Sequence, residues 1–207
     1  MKYFIQFVFL FITSSLFSGE LYDPIAVYLT WKKNPESTIS IHWISNKNET
    51  DEVVYYRQLN DCEEKTEKVF FKQPVSYKNM PQGQPYLIHA AELECLKSDT
   101  AYQFKISENG ALFKFKTLPE SLTKICFVEG GDVYHDSLDT LEKTNRQAAS
   151  LNPMFAVLGG DLAYAADTHG IFPDDAPRWI NWLKNWKKTM VTKEGYLIPI
   201  IPAIGNH

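Results

Sequence analysis

The sequence predicts a mixed fold, a β-sandwich over residues 20–119 followed by an α/β layer over residues 120–207. Three observations predict it. Apolar residues alternate with polar or smaller neighbours through Val27, Leu29 and Trp31, through Ile39, Ile41 and Trp43, and through Tyr102, Phe104 and Ile106, the period with which a strand buries one face. After Pro119 the alternation gives way to short continuous apolar runs at 125–128 and 155–158, as strands covered on both faces require. Beside those runs, apolar residues recur at helical spacing.

Taken in order, residues 1–19 open with Met1-Lys2, continue through a mostly apolar stretch at 3–12, and end in small residues up to Gly19. That is the composition of a signal peptide, and it is too short to span a bilayer comfortably. Its cleavage region lacks a clean Ala-x-Ala, so cleavage and retention as an anchor both stand. Cleavage gives a secreted or periplasmic protein with no stable membrane span.

In the sandwich, Asn34-Pro35 and Asn109-Gly110 mark turns between alternating strands. Tyr102, six residues after Leu96, has the placement of a tyrosine corner, a packing device, and Trp31, Trp43, Tyr55 and Phe104 read as core before ligand platforms. The charged stretch 63–72 reads as a solvated strand or loop, and the Pro-containing stretch 73–84 as a loop.

The α/β layer begins with a strand at 124–128 that runs into Gly130-Gly131-Asp132. A helix capped by Asp136 or Ser137 follows, with Leu138, Leu141, Ala148 and Leu151 near one face. The strand at 155–158 ends in Gly159-Gly160-Asp161, with Tyr164 three residues on. A second helix over 177–190 places Trp179, Trp182, Leu183, Trp186 and Met190 in one stripe, for packing on the sheet. Asp167, Asp174 and Asp175 read as solvated loop acids. The apolar run 196–204 leads into Gly205-Asn206-His207. Parallel strands would deliver Asp132 and Asp161 to one sheet edge, where open α/β sheets bind ligands; taken singly, a Gly-Asp after a strand also serves as a turn or helix cap.

The formal charge is −4, from 21 basic and 25 acidic residues, and no polybasic run occurs, which removes nucleic acid as a partner. Cys126 reads as a buried core thiol, while Cys62 and Cys95 fall in the sandwich and are either paired or free. No Cys-x-x-Cys is present, which argues against a redox or zinc-ribbon role.

The ordered series Asp132, Gly160-Asp161-x-x-Tyr164 and Gly205-Asn206-His207, with Arg178-Trp179-Ile180-Asn181-Trp182 before the last motif, resembles the first half of the purple acid phosphatases among the calcineurin-like metallophosphoesterases. Residues 20–119 resemble the fibronectin type III-like domain that precedes their catalytic domain. The resemblance implies hydrolysis of phosphate esters by a binuclear metal centre, Fe(III) with Fe(II), Zn(II) or Mn(II). It implies that Asp132 binds the first metal, Asp161 bridges both, Tyr164 gives a phenolate to the first, and Asn206 binds the second. His207 would contact the phosphate or assist the leaving group.

The chain also departs from that pattern. Tyr134 stands where the family usually has glycine, and His135 lies one residue too late for the related Asp-x-His. The Val-x-x-His-like and Gly-His-x-His motifs of the family's second half do not occur in these 207 residues, and His42, His89, His135 and His169 cannot replace them. The expectation is therefore a first half of the ligand set, binding metal weakly by itself and completed by a missing C-terminal half. The alternative is a non-catalytic exported β-sandwich that binds a surface partner and carries a vestigial phosphatase remnant. An α/β layer with only its first strands should also leave apolar sheet faces, edges and the helix tryptophans uncovered.

Overall fold

Period-two alternation in the first half of the chain produces strands β1 (Ala26–Thr30), β2 (Ile39–Asn46), β3 (Val53–Gln58), β4 (Phe71–Pro74), β5 (Ser76–Asn79), β6 (Tyr86–Leu93), β7 (Ala101–Ile106) and β8 (Leu112–Lys116). In the computed structural model, which describes residues 21–46, 53–59, 71–74, 76–79, 85–121, 123–134, 137–166 and 175–207, they pair into two antiparallel sheets, ordered β1-β2-β6-β5 and β4-β3-β7-β8. Val27, Leu29, Ile41, Trp43, Ala91 and Leu93 of the first sheet meet Val54, Phe104, Ile106 and Phe115 of the second in one buried core. The Lys97 amide donates to the Tyr102 hydroxyl at 2.8 Å, so Tyr102 forms the expected corner. Residues 1–19, Cys62, His135, Asp136, Asp167, His169 and Asp174 lie outside the described residues.

Two histidines of the first sheet are shielded from water, His89 fully and His42 in part. His89 stacks on Trp43 at 4.8 Å and its Nε2 lies 2.8 Å from Ser45 Oγ. His42 stacks on Tyr28 at 4.8 Å and its Nε2 lies 2.8 Å from Thr30 Oγ1. Burial lowers both pKa values, that of His42 to about 4 with help from the nearby Lys32 charge. A lowered folded-state pKa means that stability is complete above the unfolded value of 6.5 and is lost as pH falls toward the folded one. For His42 the loss at pH 5 should be about 2 kcal/mol. Urea midpoints at pH 7 and pH 5 measure it: a clear drop is expected, smaller in His42→Gln, and equal midpoints would show that neither histidine resists protonation.

The second half is built from β9 (Phe127–Gly130), α1 (Leu138–Ser150), β10 (Phe155–Leu158), α2 (Ala176–Thr189) and β11 (Ile200–Pro202). The three strands are parallel in the order β11-β10-β9, with Gly130, Leu158 and Pro202 level across the sheet. Helices start where their caps dictate. Ser137 Oγ accepts from the Thr140 amide, and the Asp175 carboxylate accepts from the Arg178 amide; Asp175, expected to be a solvated loop acid, is thus the cap of α2.

Several expectations change with the packing. The first strand starts at Phe127 rather than 124, and Cys126 is only half buried, because β9 is an edge strand with a single neighbour. On α1 the buried positions are Leu141, Asn145 and Ala149, whereas Leu151 is 65% exposed and Leu138 also faces water. The face turns because Asn145 reaches α2, where its Nδ2 donates to Asn185 Oδ1 at 3.1 Å and Thr189 Oγ1 at 3.2 Å. One sheet face remains open as expected, with Phe127 45% and Ile201 46% exposed. The helix tryptophans do not stay uncovered: Trp182 and Trp186 are buried.

They are buried because the sandwich covers them. Ala26 and Ile44 project from the outer face of the first sheet into the same cluster as Trp182, Trp186, Ala156 and Ile200. Lys187 Nζ donates to Asp23 Oδ1 at 2.6 Å and to the Pro24 carbonyl at 2.7 Å, and the Leu197 amide donates to the Lys114 carbonyl at 2.8 Å. Sandwich and α/β layer therefore share a core, which fixes the sheet edge that carries the candidate site.

Candidate metal centre

Parallel pairing brings three chain segments to one edge. Asp132 follows β9 by two residues, Asp161 follows β10 by three, and Gly205 follows β11 by three. The segments are tied together by the Gly159 amide on the Gly130 carbonyl at 2.7 Å and the Asp132 amide on the Gly160 carbonyl at 3.3 Å. Asp132, Asp161 and Tyr164 all adopt left-handed backbone, with φ of 52°, 50° and 49°. Aspartate tolerates that region through local hydrogen bonding, whereas for tyrosine it is uncommon and marks a constrained site.

The side chains converge. The Tyr164 hydroxyl donates to Asp132 Oδ1. That bond, reinforced by desolvation and by the charges of Asp132 and Asp161, pushes the phenol pKa up to about 12. Asp161 Oδ1 accepts the His207 amide at 2.8 Å, and the Ala165 and Ala166 amides donate to the His207 carbonyl at 3.0 and 3.1 Å. The His207 ring stacks on Tyr164 with centroids 5.0 Å apart. Asn206 is exposed, between two residues that touch the Asp161 segment.

The segments pass so closely that glycine is required twice. A Cβ on Gly205 would lie 1.9 Å from Asp161 Oδ1 and 2.3 Å from the Asp161 nitrogen, and one on Gly160, at φ 103°, would lie 2.8 Å from Gly205 Cα. Gly205→Ala should therefore push the His207 segment off Asp161, at a local cost of roughly 1–3 kcal/mol. Faster amide exchange at Ala165 and Ala166 would report it; unchanged exchange would mean that the close approach does not persist in solution.

As a donor set, Asp132, Asp161, Tyr164 and Asn206 offer only oxygen, which suits hard cations such as Mg(II), Mn(II) or Fe(III). The Asp132 and Tyr164 oxygens are close enough for one cation to take both once the shared proton leaves. Among the described residues, no group of three or more His, Cys, Asp or Glu side chains is placed to hold a metal. The residues present thus fit part of a centre. Beside it, Asp161 and His207 border an apolar cleft of about 490 Å³, lined by Tyr28, Ile44, Trp179 and Trp182.

The sequence did not single out Arg178 or the role of Tyr134. The Arg178 guanidinium donates from Nε to the Ala163 carbonyl and from Nη2 to the Tyr134 carbonyl, both at 2.7 Å, and lies 4.4 Å from the centroid of the Tyr134 ring. Tyr134 is only 8% exposed, so the residue at the usual glycine position turns inward rather than crowding the site. The signal was available in the third residue of the Trp-rich helix, but its target lay 44 positions away.

Fold and site together define an antiparallel β-sandwich fused to a parallel α/β layer with acidic loops at its carboxyl edge. Residues 24–117 match the family described as "Purple acid Phosphatase, N-terminal domain". The chain is also 32% identical over 123 residues to purple acid phosphatase 22 of Arabidopsis thaliana, and 32% identical over 116 residues to purple acid phosphatase 21 of the same plant. Each match covers 56% of this chain and 26% of the relative, so the chain matches about a quarter of the length of these proteins. Among solved structures, that of Astrotactin-2, titled a vertebrate-specific, perforin-like membrane protein, matches with a TM-score of 0.33 and 11% identity over 57% of this chain and 24% of that one; nothing about this chain follows from so slight a likeness. Among the described residues, no helix is long and apolar enough to cross a membrane.

Proposed function

We propose that this chain supplies the front part of an exported, metal-dependent phosphomonoesterase of the purple acid phosphatase type. The observation that carries this reading is the convergence of Asp132, Asp161, Tyr164 and His207 at one sheet edge, from three separate loops. The purple acid phosphatases as a family are built on a binuclear metal centre, and Asp132, Asp161, Tyr164 and Asn206 would hold part of one here. When bound, the cations would supply charge neutralisation at the phosphoryl oxygens and activation of water.

This chain's residues do the rest. Asp132 holds the Tyr164 proton until that proton is lost, which makes metal uptake at the pair proton-coupled and weaker as pH falls. Asp161 fixes the His207 backbone through one oxygen and keeps the other for a cation. Tyr164 orients the His207 ring by stacking, which aims the imidazole at a phosphate or leaving group. The neighbouring apolar cleft suits the organic part of an ester. The remaining ligands come from sequence outside these 207 residues, the complementary C-terminal half.

The test is to purify the chain alone and together with a complementary half carrying the family's histidine motifs, then measure metal per protein by elemental analysis and hydrolysis of p-nitrophenyl phosphate. Metal near two equivalents and turnover in the combined protein are expected. No metal in either preparation, with residues 20–119 still folding, would reject this reading in favour of a non-catalytic β-sandwich protein.

A further inference from the structure

We propose that Arg178 is a positioning residue that locks the two acidic loops of the site into one unit, and that Tyr134 is the platform on which it works. The inference rests on the reading of Asp132, Asp161 and Tyr164 as metal ligands. One guanidinium spans both loops: it binds the Tyr134 carbonyl, two residues after Asp132, and the Ala163 carbonyl, between Asp161 and Tyr164, each at 2.7 Å. Its Cζ lies over the buried Tyr134 ring, 4.4 Å from the centroid, a contact that favours the guanidinium at this position.

The anchor of this clamp is rigid. Arg178 sits in the first turn of α2, whose start is capped by Asp175 and whose Trp182 and Trp186 are buried in the shared core. Loop geometry is thereby referred to the interior of the protein rather than to solvent. Besides this clamp, the Asp132 and Asp161 loops are joined by the Asp132 amide on the Gly160 carbonyl, at 3.3 Å, and by the Tyr164 hydroxyl on Asp132. Lysine is no substitute, since one ammonium cannot reproduce a planar fork that serves two carbonyls and stacks on a ring. The tyrosine at the position where glycine is usual thus has a physical reason: its body supports the arginine while its carbonyl receives it.

Two readouts test this on the full 207-residue chain. The first needs no metal: amide hydrogen exchange should accelerate by about tenfold or more at Asp132 and Ala165 in Arg178→Gln, with Leu141 in α1 unchanged. Arg178→Lys should not rescue it, Tyr134→Gly should resemble Arg178→Gln, and the double variant should be no worse than either single one. The second is titration with ferric nitrilotriacetate, following the visible band that a ferric phenolate gives and that Tyr164→Phe should abolish. Arg178→Gln should raise the half-saturating iron concentration by about tenfold or more, the scale on which outer-shell partners act.

Unchanged exchange in both loops of Arg178→Gln, or acceleration spread evenly over the molecule, would overturn the clamp. Full rescue by lysine would overturn the two-carbonyl basis. A wild-type chain that gives no ferric band counts against the metal reading of the site, and the exchange data then uphold or overturn the clamp by themselves.

Discussion

Asp161→Asn in the complemented protein is expected to lower hydrolysis of a phosphate ester by more than about 100-fold, beyond the range that outer-shell changes produce. The substitution is chosen because it spares everything except charge. Asparagine tolerates the left-handed backbone at φ 50°, and its amide oxygen still accepts the His207 amide that Asp161 Oδ1 now accepts at 2.8 Å. What disappears is the negative charge with which the carboxylate would hold a cation. Metal content should fall with activity while the melting temperature of the metal-free protein stays put. Asp161→Ala should lose activity equally and also speed amide exchange at His207, since the alanine offers no acceptor. Undiminished turnover in Asp161→Asn would remove Asp161 from the mechanism.

Trp182→Ala is expected to cost about 3–5 kcal/mol, the range for removing a large buried aromatic side chain. Trp182 is 1% exposed, stands edge-on to Trp179 at 6.1 Å and packs on Trp186 at 5.4 Å. The cluster around it draws Ala26 and Ile44 from the sandwich, and Ala156 and Ile200 from the parallel sheet. Because that cluster belongs to both parts, the loss should appear as one earlier denaturant transition for the whole molecule. Trp182→Phe is the control. Among the described residues the Trp182 Nε1 has no hydrogen-bond partner, so phenylalanine removes an unsatisfied donor and should stay within about 1 kcal/mol of wild type. Two separate transitions in Trp182→Ala, with the sandwich unmoved, would show that the halves do not share stability.

Much of this was legible before any fold was known. Alternation at Val27, Leu29, Ile41 and Trp43 placed the sandwich strands, because a pleated strand must put every second side chain on one face. The run 155–158 reads as a strand and is β10; the helix starts marked near Ser137 and Pro177 lie within a residue of those of α1 and α2. The meeting of Asp132 and Asp161 at one edge is legible too, since parallel strands share a carboxyl edge. The stretch 73–84, which reads as a loop, instead holds the end of β4 and all of β5; elsewhere what misled was burial. Cys126, Leu138 and Leu151 are apolar and looked internal, yet an edge strand and two helix ends have no neighbour there.

By itself, then, the sequence determined the order of the layers, the strand and helix periods, and the loop acids that meet at one edge. These follow from local rules of chirality, pleat and spacing that act within a dozen residues. Tertiary structure decided the rest: that the sandwich's outer face buries the helix tryptophans, that Asn145 and not Leu138 faces α2, that Gly160 and Gly205 must stay bare, and that Arg178 spans two loops. Each of those depends on close approach between segments 15 or more positions apart, where distance is set by the summed packing of the whole molecule and no local pattern records it.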